Sequence, residues 1–163
     1  MIVQSWDTAI KAMAKHDASA CATFMYRDGM HYLIDMQCIR LGYPALKRFI
    51  IMHAQRYKPT SILVEDKASG QSLIQDIRMD AQELPIIAIQ PKGDKVMRLA
   101  RVSPMIEAGK VALPHEATWL CAFETEMSLF PHAPHDDQVD AFTQYLFWFQ
   151  ERHMRAGPSV RMV

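Results

Sequence analysis

The chain has 163 residues, half of them hydrophobic, with 22% charged and 9% aromatic, the profile of one domain with a true core and neither a disordered nor a collagen-like polymer. Eighteen Lys and Arg balance eighteen Asp and Glu, so no global field pulls the protein onto DNA or anionic lipid, and any nucleic-acid binding has to be local. The scattered Cys21, Cys38 and Cys121 argue against a zinc site or a disulfide framework, and no apolar run approaches the roughly 20 residues of a membrane span, nor is there a basic, apolar leader. The expectation is a soluble cytoplasmic protein with no membrane contact.

Ile2, Val3 and Trp6 predict a buried first strand ending at Asp7, followed by a polar loop containing Lys11, Lys15, His16 and Asp17. Ala20 to Arg27 and Met30 to Arg40 are rich in β-branched and aromatic residues, and Asp28-Gly29 between them is a hairpin signal, because both residues tolerate positive φ. Pro44 suits a first helical turn, and Leu46, Phe49, Ile50 and His53 fall at helical spacing up to Tyr57. Ser61 to Glu65 is apolar enough for a central strand covered on both faces, and it ends in a carboxylate. A second helix opens at Ser69-Gly70 with Leu73, Ile74 and Ile77 on one face. Pro85 to Ile89 is another apolar strand. A third helix follows Asp94 and runs to about Ala108, and Val111 to Leu113 forms a short strand. A helix around Thr118 to Leu129 and an apolar helix from Val139 to Phe149 close the domain. Met25, Met97, Met105 and Met127, with Trp119, Phe123, Phe130, Tyr145, Phe147, Trp148 and Phe149, are read as packing residues. The order is an α/β pattern with one antiparallel hairpin beside parallel crossovers.

Acids cluster at places where such a sheet forms ligand sites. Asp7 ends the first strand, Glu65 and Asp66 end the fourth, and Asp136, Asp137 and Asp140 surround the start of the last helix. Strand carboxyl ends converge in open α/β sheets, and crowded carboxylates are unfavourable unless a cation neutralises them. All-oxygen ligands select hard ions such as Mg²⁺ or Mn²⁺, and two ions roughly 3.5–4 Å apart can activate water against a phosphodiester. Plainer readings stand beside this one: Asp7 as a turn residue, Asp66 as a cap of the following helix, Asp136 or Asp137 as an N-cap, Asp140 as a satisfied helix acid.

Val3-Gln4-Ser5-Trp6-Asp7-Thr8-Ala9, Ile62 to Leu73, Ile86 to Pro91 with Gly93-Asp94-Lys95, and His135-Asp136-Asp137-Gln138-Val139-Asp140-Ala141 together resemble the C-terminal nuclease domain of the large terminase subunit of tailed bacteriophages. The likeness runs in order from residue 2 to about 148, which makes 1–150 the nuclease domain and 151–163 a basic tail. It implies a ribonuclease H-like fold: a mixed sheet with an antiparallel three-strand meander followed by parallel strands, and helices on both faces. It also implies an endonuclease that cuts concatemeric double-stranded viral DNA for packaging, using two Mg²⁺ or Mn²⁺ ions in the host cytoplasm. On that resemblance Asp7, Glu65 and Asp137 are the catalytic metal ligands, Asp136 rivals Asp137, Asp140 supports the metals, and Asp66 is held in reserve.

No GxxxxGK[ST] loop is present, so the ATPase half of a large terminase is missing and becomes an expected partner, with the small terminase subunit and the portal. Lys92, Lys95, Arg98 and Arg101 are the densest basic stretch and the candidate DNA contact, the last three at helical spacing; the plainer reading is an ordinary solvated face. His135 and His132 flank the acids as candidate proton carriers, or as simple turn residues. The tail bases Arg152, Arg155 and Arg161 are read as a frayed terminus. Two other functions remain open: a DNA clamp or docking module that stays silent until the packaging complex assembles, and another ribonuclease H-like nuclease such as a junction resolvase.

Overall fold

The computed structural model describes residues 1–8 and 18–155; the polar loop of Lys11 to Asp17 and the tail base Arg161 lie outside them. Strand β1 (Ile2–Asp7) is central because apolar side chains leave on both of its faces. It pairs antiparallel with β2 (Ser19–Arg27), which pairs antiparallel with β3 (Met30–Ile39) through Asp28 (φ 52°) and Gly29 (φ 79°), the two positive-φ positions that the hairpin required. After helix α1 (Tyr43–Tyr57) the chain crosses to β4 (Ser61–Glu65), parallel to β1. Helix α2 (Ala68–Asp80) then leads to β5 (Ile86–Ile89), parallel to β4. Helix α3 (Lys95–Glu107) returns the chain to β6 (Val111–Ala112), a two-residue edge parallel to β3. Helices α4 (Leu120–Leu129) and α5 (Asp137–Arg155) follow. The six strands lie in the order β5-β4-β1-β2-β3-β6, the antiparallel meander with parallel strands that the sequence predicts.

Alternation along the strands divides the core in two. Val3, Ala20, Ala22, Phe24 and Leu63 face α5 with Phe142, Tyr145 and Leu146, while Trp6, Cys21, Ile62 and Val64 face α1 and α2 with Leu46, Ile50, Leu73 and Ile77. Helix α5 starts two residues earlier than the apolar run suggests, so Asp137 lies inside it. The methionine expectation needs correction at Met97, which is 46% exposed; Met105 and Met127 are partly buried and pack against the core on the α5 side, and Met25 is half-buried. Among the described residues, no helix is long and apolar enough to cross a membrane.

Candidate active site

Parallel pairing of β1 with β4 sets Trp6 opposite Val64, so the next residue of each strand, Asp7 and Glu65, stand side by side at the carboxyl edge of the sheet. Strand alternation turns both toward α5, on the side of Ser5 and Leu63. Helix α5 is tied to this edge by Gln144, whose Nε2 donates to Ser5 Oγ at 2.9 Å and to the Trp6 carbonyl at 3.3 Å. Its first turn carries Asp137 and Asp140. Burial, then the fields of Glu65, Asp140 and Asp137, push the Asp7 carboxyl up to about 8, with Lys95 acting against them. Asp137 is raised too, first by burial and then by Glu126 and Asp136, against His135 and Lys95. These causes put Glu65, Asp140 and Asp137 within electrostatic range of Asp7.

Cations hold the cluster. Lys95 Nζ lies 2.6 Å from both Asp136 Oδ1 and Asp140 Oδ2, and Arg98 Nη2 lies 2.7 Å from Asp140 Oδ1. Both Asp140 oxygens are therefore engaged by protein bases. Glu65 Oε1 is buried and is met by the Lys67 ammonium as an ion pair. Among the described residues, no three His, Cys, Asp or Glu side chains form a ready metal cage; Asp136, Asp140 and Glu65 direct oxygens to lysine and arginine instead. The donor chemistry is nonetheless of the kind a hard divalent ion takes: carboxylate oxygens only, mutually repelling. A small pocket beside Glu65 and Asp140 is lined also by Gln90, Lys92, Arg98 and Phe147.

Glycine at position 70 makes the close packing at Glu65 possible. A Cβ on Gly70 would sit 2.0 Å from the Glu65 carbonyl oxygen, so the first turn of α2 abuts the end of β4 only because no side chain intervenes.

Other predicted residues fall elsewhere. Asp66 accepts from Gln90 Nε2 at 2.9 Å and does not cap α2, whose N-cap position is Lys67, with no side-chain hydrogen bond closing it. His135 and His132 are exposed in the loop before α5, His135 close enough to favour the charged form of Asp137. The expectation of one basic face on α3 is corrected at Arg98, which is 7% exposed and points inward to Asp140. Lys92 instead contacts Glu151 at 2.8 Å, and Arg101 lies 5.4 Å from the centre of the Phe147 ring. Reading the sequence missed Lys67, Gln144 and Glu126. Glu126 Oε1 on α4 accepts from the backbone N–H groups of Gln138 (2.8 Å) and Val139 (3.1 Å), and its Oε2 accepts from Gln138 Nε2 at 2.6 Å. No local signal in the sequence singled Glu126 out, because its partners lie on another helix.

Residues 4–147 match the family profile described as the terminase RNaseH-like domain. The chain belongs to that family. Its fold is accordingly ribonuclease H-like, and solved terminase structures share it. Similar structures include the large terminase nuclease of thermophilic phage G20c with bound zinc, at 16% identity and TM-score 0.69, covering 92% of this chain and 81% of that one. The large terminase of another thermophilic bacteriophage matches at 11% identity and TM-score 0.67 over 91% of this chain. The human cytomegalovirus terminase nuclease domain, manganese-soaked and inhibitor-bound, matches at 8% identity and TM-score 0.63, covering 94% and 85%. The present terminase domain spans 40% of the length of that second phage's large terminase. No curated protein sequence matches it.

Proposed function

We propose that this terminase domain is a divalent-metal-dependent endodeoxyribonuclease that cuts concatemeric double-stranded viral DNA during genome packaging. What supports the reading is Asp7 beside Glu65 at the ends of β1 and β4, where burial and then the fields of Glu65, Asp140 and Asp137 raise the Asp7 carboxyl to about 8. Asp7, Glu65 and Asp137 would hold Mg²⁺ or Mn²⁺, two ions in all, with Asp136 and Asp140 supporting them. Bound there, the ions would lower the pKa of a water and neutralise charge developing on the phosphodiester. Asp7 has to release its proton for this role, which a cation favours. Lys95 and Arg98 orient Asp136 and Asp140, while Lys92 and Arg101, at the rim, supply phosphate contacts; DNA held by so few bases is bound weakly and released by salt. An ATPase domain, a small terminase subunit and a portal, in a bacterial host cytoplasm, complete the proposed setting, with residues 1–150 as the cutting domain and 151–163 as its tail.

The engagement of Asp136 and Asp140 by Lys95 and Arg98 favours a second reading, a docking module that cuts only after a partner rearranges those pairs. One assay separates the two. Supercoiled plasmid is incubated with the protein and Mn²⁺ or Mg²⁺, with EDTA as control. Nicking or linearisation that EDTA stops is expected, with Asp7→Asn and Asp137→Ala each at least about 100-fold slower, the scale of losing a group that acts on the transition state. Salt-sensitive binding without cutting supports the docking reading, and preferential cutting of a four-way junction supports a resolvase. Undiminished cutting by both variants removes the assigned site.

A further inference from the structure

The start of α5 is built in an unusual way. Asp136 immediately precedes the first helical residue, Asp137, and an aspartate there ordinarily caps the helix by accepting from the N–H groups two and three residues on. Those groups belong to Gln138 and Val139. Both donate instead to Glu126 Oε1, which reaches them from α4. The Asp136 carboxylate is turned the other way, to Lys95 at 2.6 Å. Helix α3 provides the contrast within the same chain: its N-cap Asp94 does accept locally, from Met97 N at 2.8 Å. The chain therefore uses a local aspartate cap at α3 and replaces it with a carboxylate from another helix where the acidic site begins. Glu126 is 9% exposed, and burying a carboxylate beside other acids is unfavourable unless strong donors meet it; two backbone N–H groups, the positive end of α5 and the Gln138 amide do so.

We infer that Glu126 is a positioning residue of the acidic site: by capping α5 from α4 it releases Asp136 from capping and leaves that carboxylate turned to Lys95 and the acidic cluster. The inference rests on the metal-site reading above, since its consequence is the shape of the ligand set, and it assigns Glu126 no contact with metal or DNA. Removing the carboxylate leaves two orphan N–H groups at the start of α5, and the nearest replacement acceptor is Asp136, which would leave Lys95 to take up the cap.

The test is Mn²⁺ titration calorimetry on the metal-free wild type, Glu126→Ala and Glu126→Gln, with a crystal structure of Glu126→Ala. Glu126→Ala is expected to bind Mn²⁺ about 10–100-fold more weakly, the range seen when a partner that orients ligands is removed, with Asp136 moved onto the N–H groups of Gln138 and Val139. Glu126→Gln keeps an oxygen for both N–H groups and is expected to restore most of the affinity. Wild-type affinity in Glu126→Ala overturns the inference, whatever its melting temperature, because a purely structural tie between α4 and α5 would change stability alone. If the wild type takes up no Mn²⁺, the metal reading fails, and the position of Asp136 in Glu126→Ala decides this inference by itself. Should Glu126→Ala not fold, Asp136→Ala decides it: amide exchange at Gln138 and Val139 is expected to match the wild type, and faster exchange there would show Asp136 to be the working cap.

Discussion

Asp7 shows how one residue's surroundings become a measurable property. Its carboxyl is raised to about 8 in the folded protein against 3.8 ordinarily, chiefly through burial and then through Glu65, Asp140 and Asp137. Between those values the unfolded chain has lost the proton and the folded one keeps it, so stability of the metal-free protein falls as pH rises from about 4 to about 8 and then levels. Asp7→Asn should therefore leave the melting temperature unchanged near pH 4 and raise it at pH 8, by roughly 2–4 °C for each ~1 kcal/mol recovered. The same variant should lose any stabilisation by Mn²⁺; thermal melts across pH, with and without the ion, read both effects. Gly70 is the complementary case, a residue defined by what it lacks. Gly70→Ala drives a methyl group into the Glu65 backbone, and an overpacking cost of about 1–3 kcal/mol is expected, measurable by urea denaturation, with loss of cleavage because Glu65 shifts with its strand.

At the scale of elements, α3 and α5 behave as one unit. Their shared seam carries the Arg98 to Asp140 and Lys95 to Asp140 pairs, so the face of α3 that a helical wheel assigns to solvent is partly interior. Lys92 and Arg101 remain exposed. The Lys92 to Glu151 pair is a surface contact worth little, and Lys92 can exchange it for a phosphate. Changing both Lys92 and Arg101 to Ala should weaken DNA binding evenly across sequences and reduce the slope of log K against log salt by about 2, near 1 for each phosphate no longer held. Fluorescence anisotropy at several salt concentrations measures it, and an unchanged slope would place the DNA path elsewhere.

At the scale of the whole molecule, the balanced charge of 18 bases and 18 acids conceals an organised distribution. Acids collect where β1, β4 and the start of α5 meet, and Lys67, Lys95 and Arg98 are spent neutralising them. The remaining bases are distributed over the rest of the chain, so the net balance of zero is a sum over separate patches. The far face of the sheet has its own buried polar link: His53 Nε2 lies 2.9 Å from Asp35 Oδ2 and its Nδ1 2.7 Å from Gln4 Nε2, which ties α1 to β3 and β1.

Much of this was legible along the chain. Period-2 and helical patterns predicted the strands and helices in their observed order, Asp28-Gly29 predicted the hairpin, and acids directly after apolar runs marked the strand ends where a site forms. These signals are local, because backbone preference and the alternation of faces are set by a residue and its near neighbours. The pairing of side chains was not legible. Helical spacing put Arg98 beside Lys95 but could not say that Asp140, 42 residues on, would bury it. The Asp136-Asp137 sequence looked like a local cap, and only the approach of α4 to α5 handed that role to Glu126. His53 read as one more residue of an apolar stripe, and Met97 as core. In each case the partner is chosen by which elements the sheet order and helix packing bring together. The elements and the types of group at their ends follow from the order of residues; which charges meet follows from packing, because ion pairs and caps form through space between elements distant along the chain.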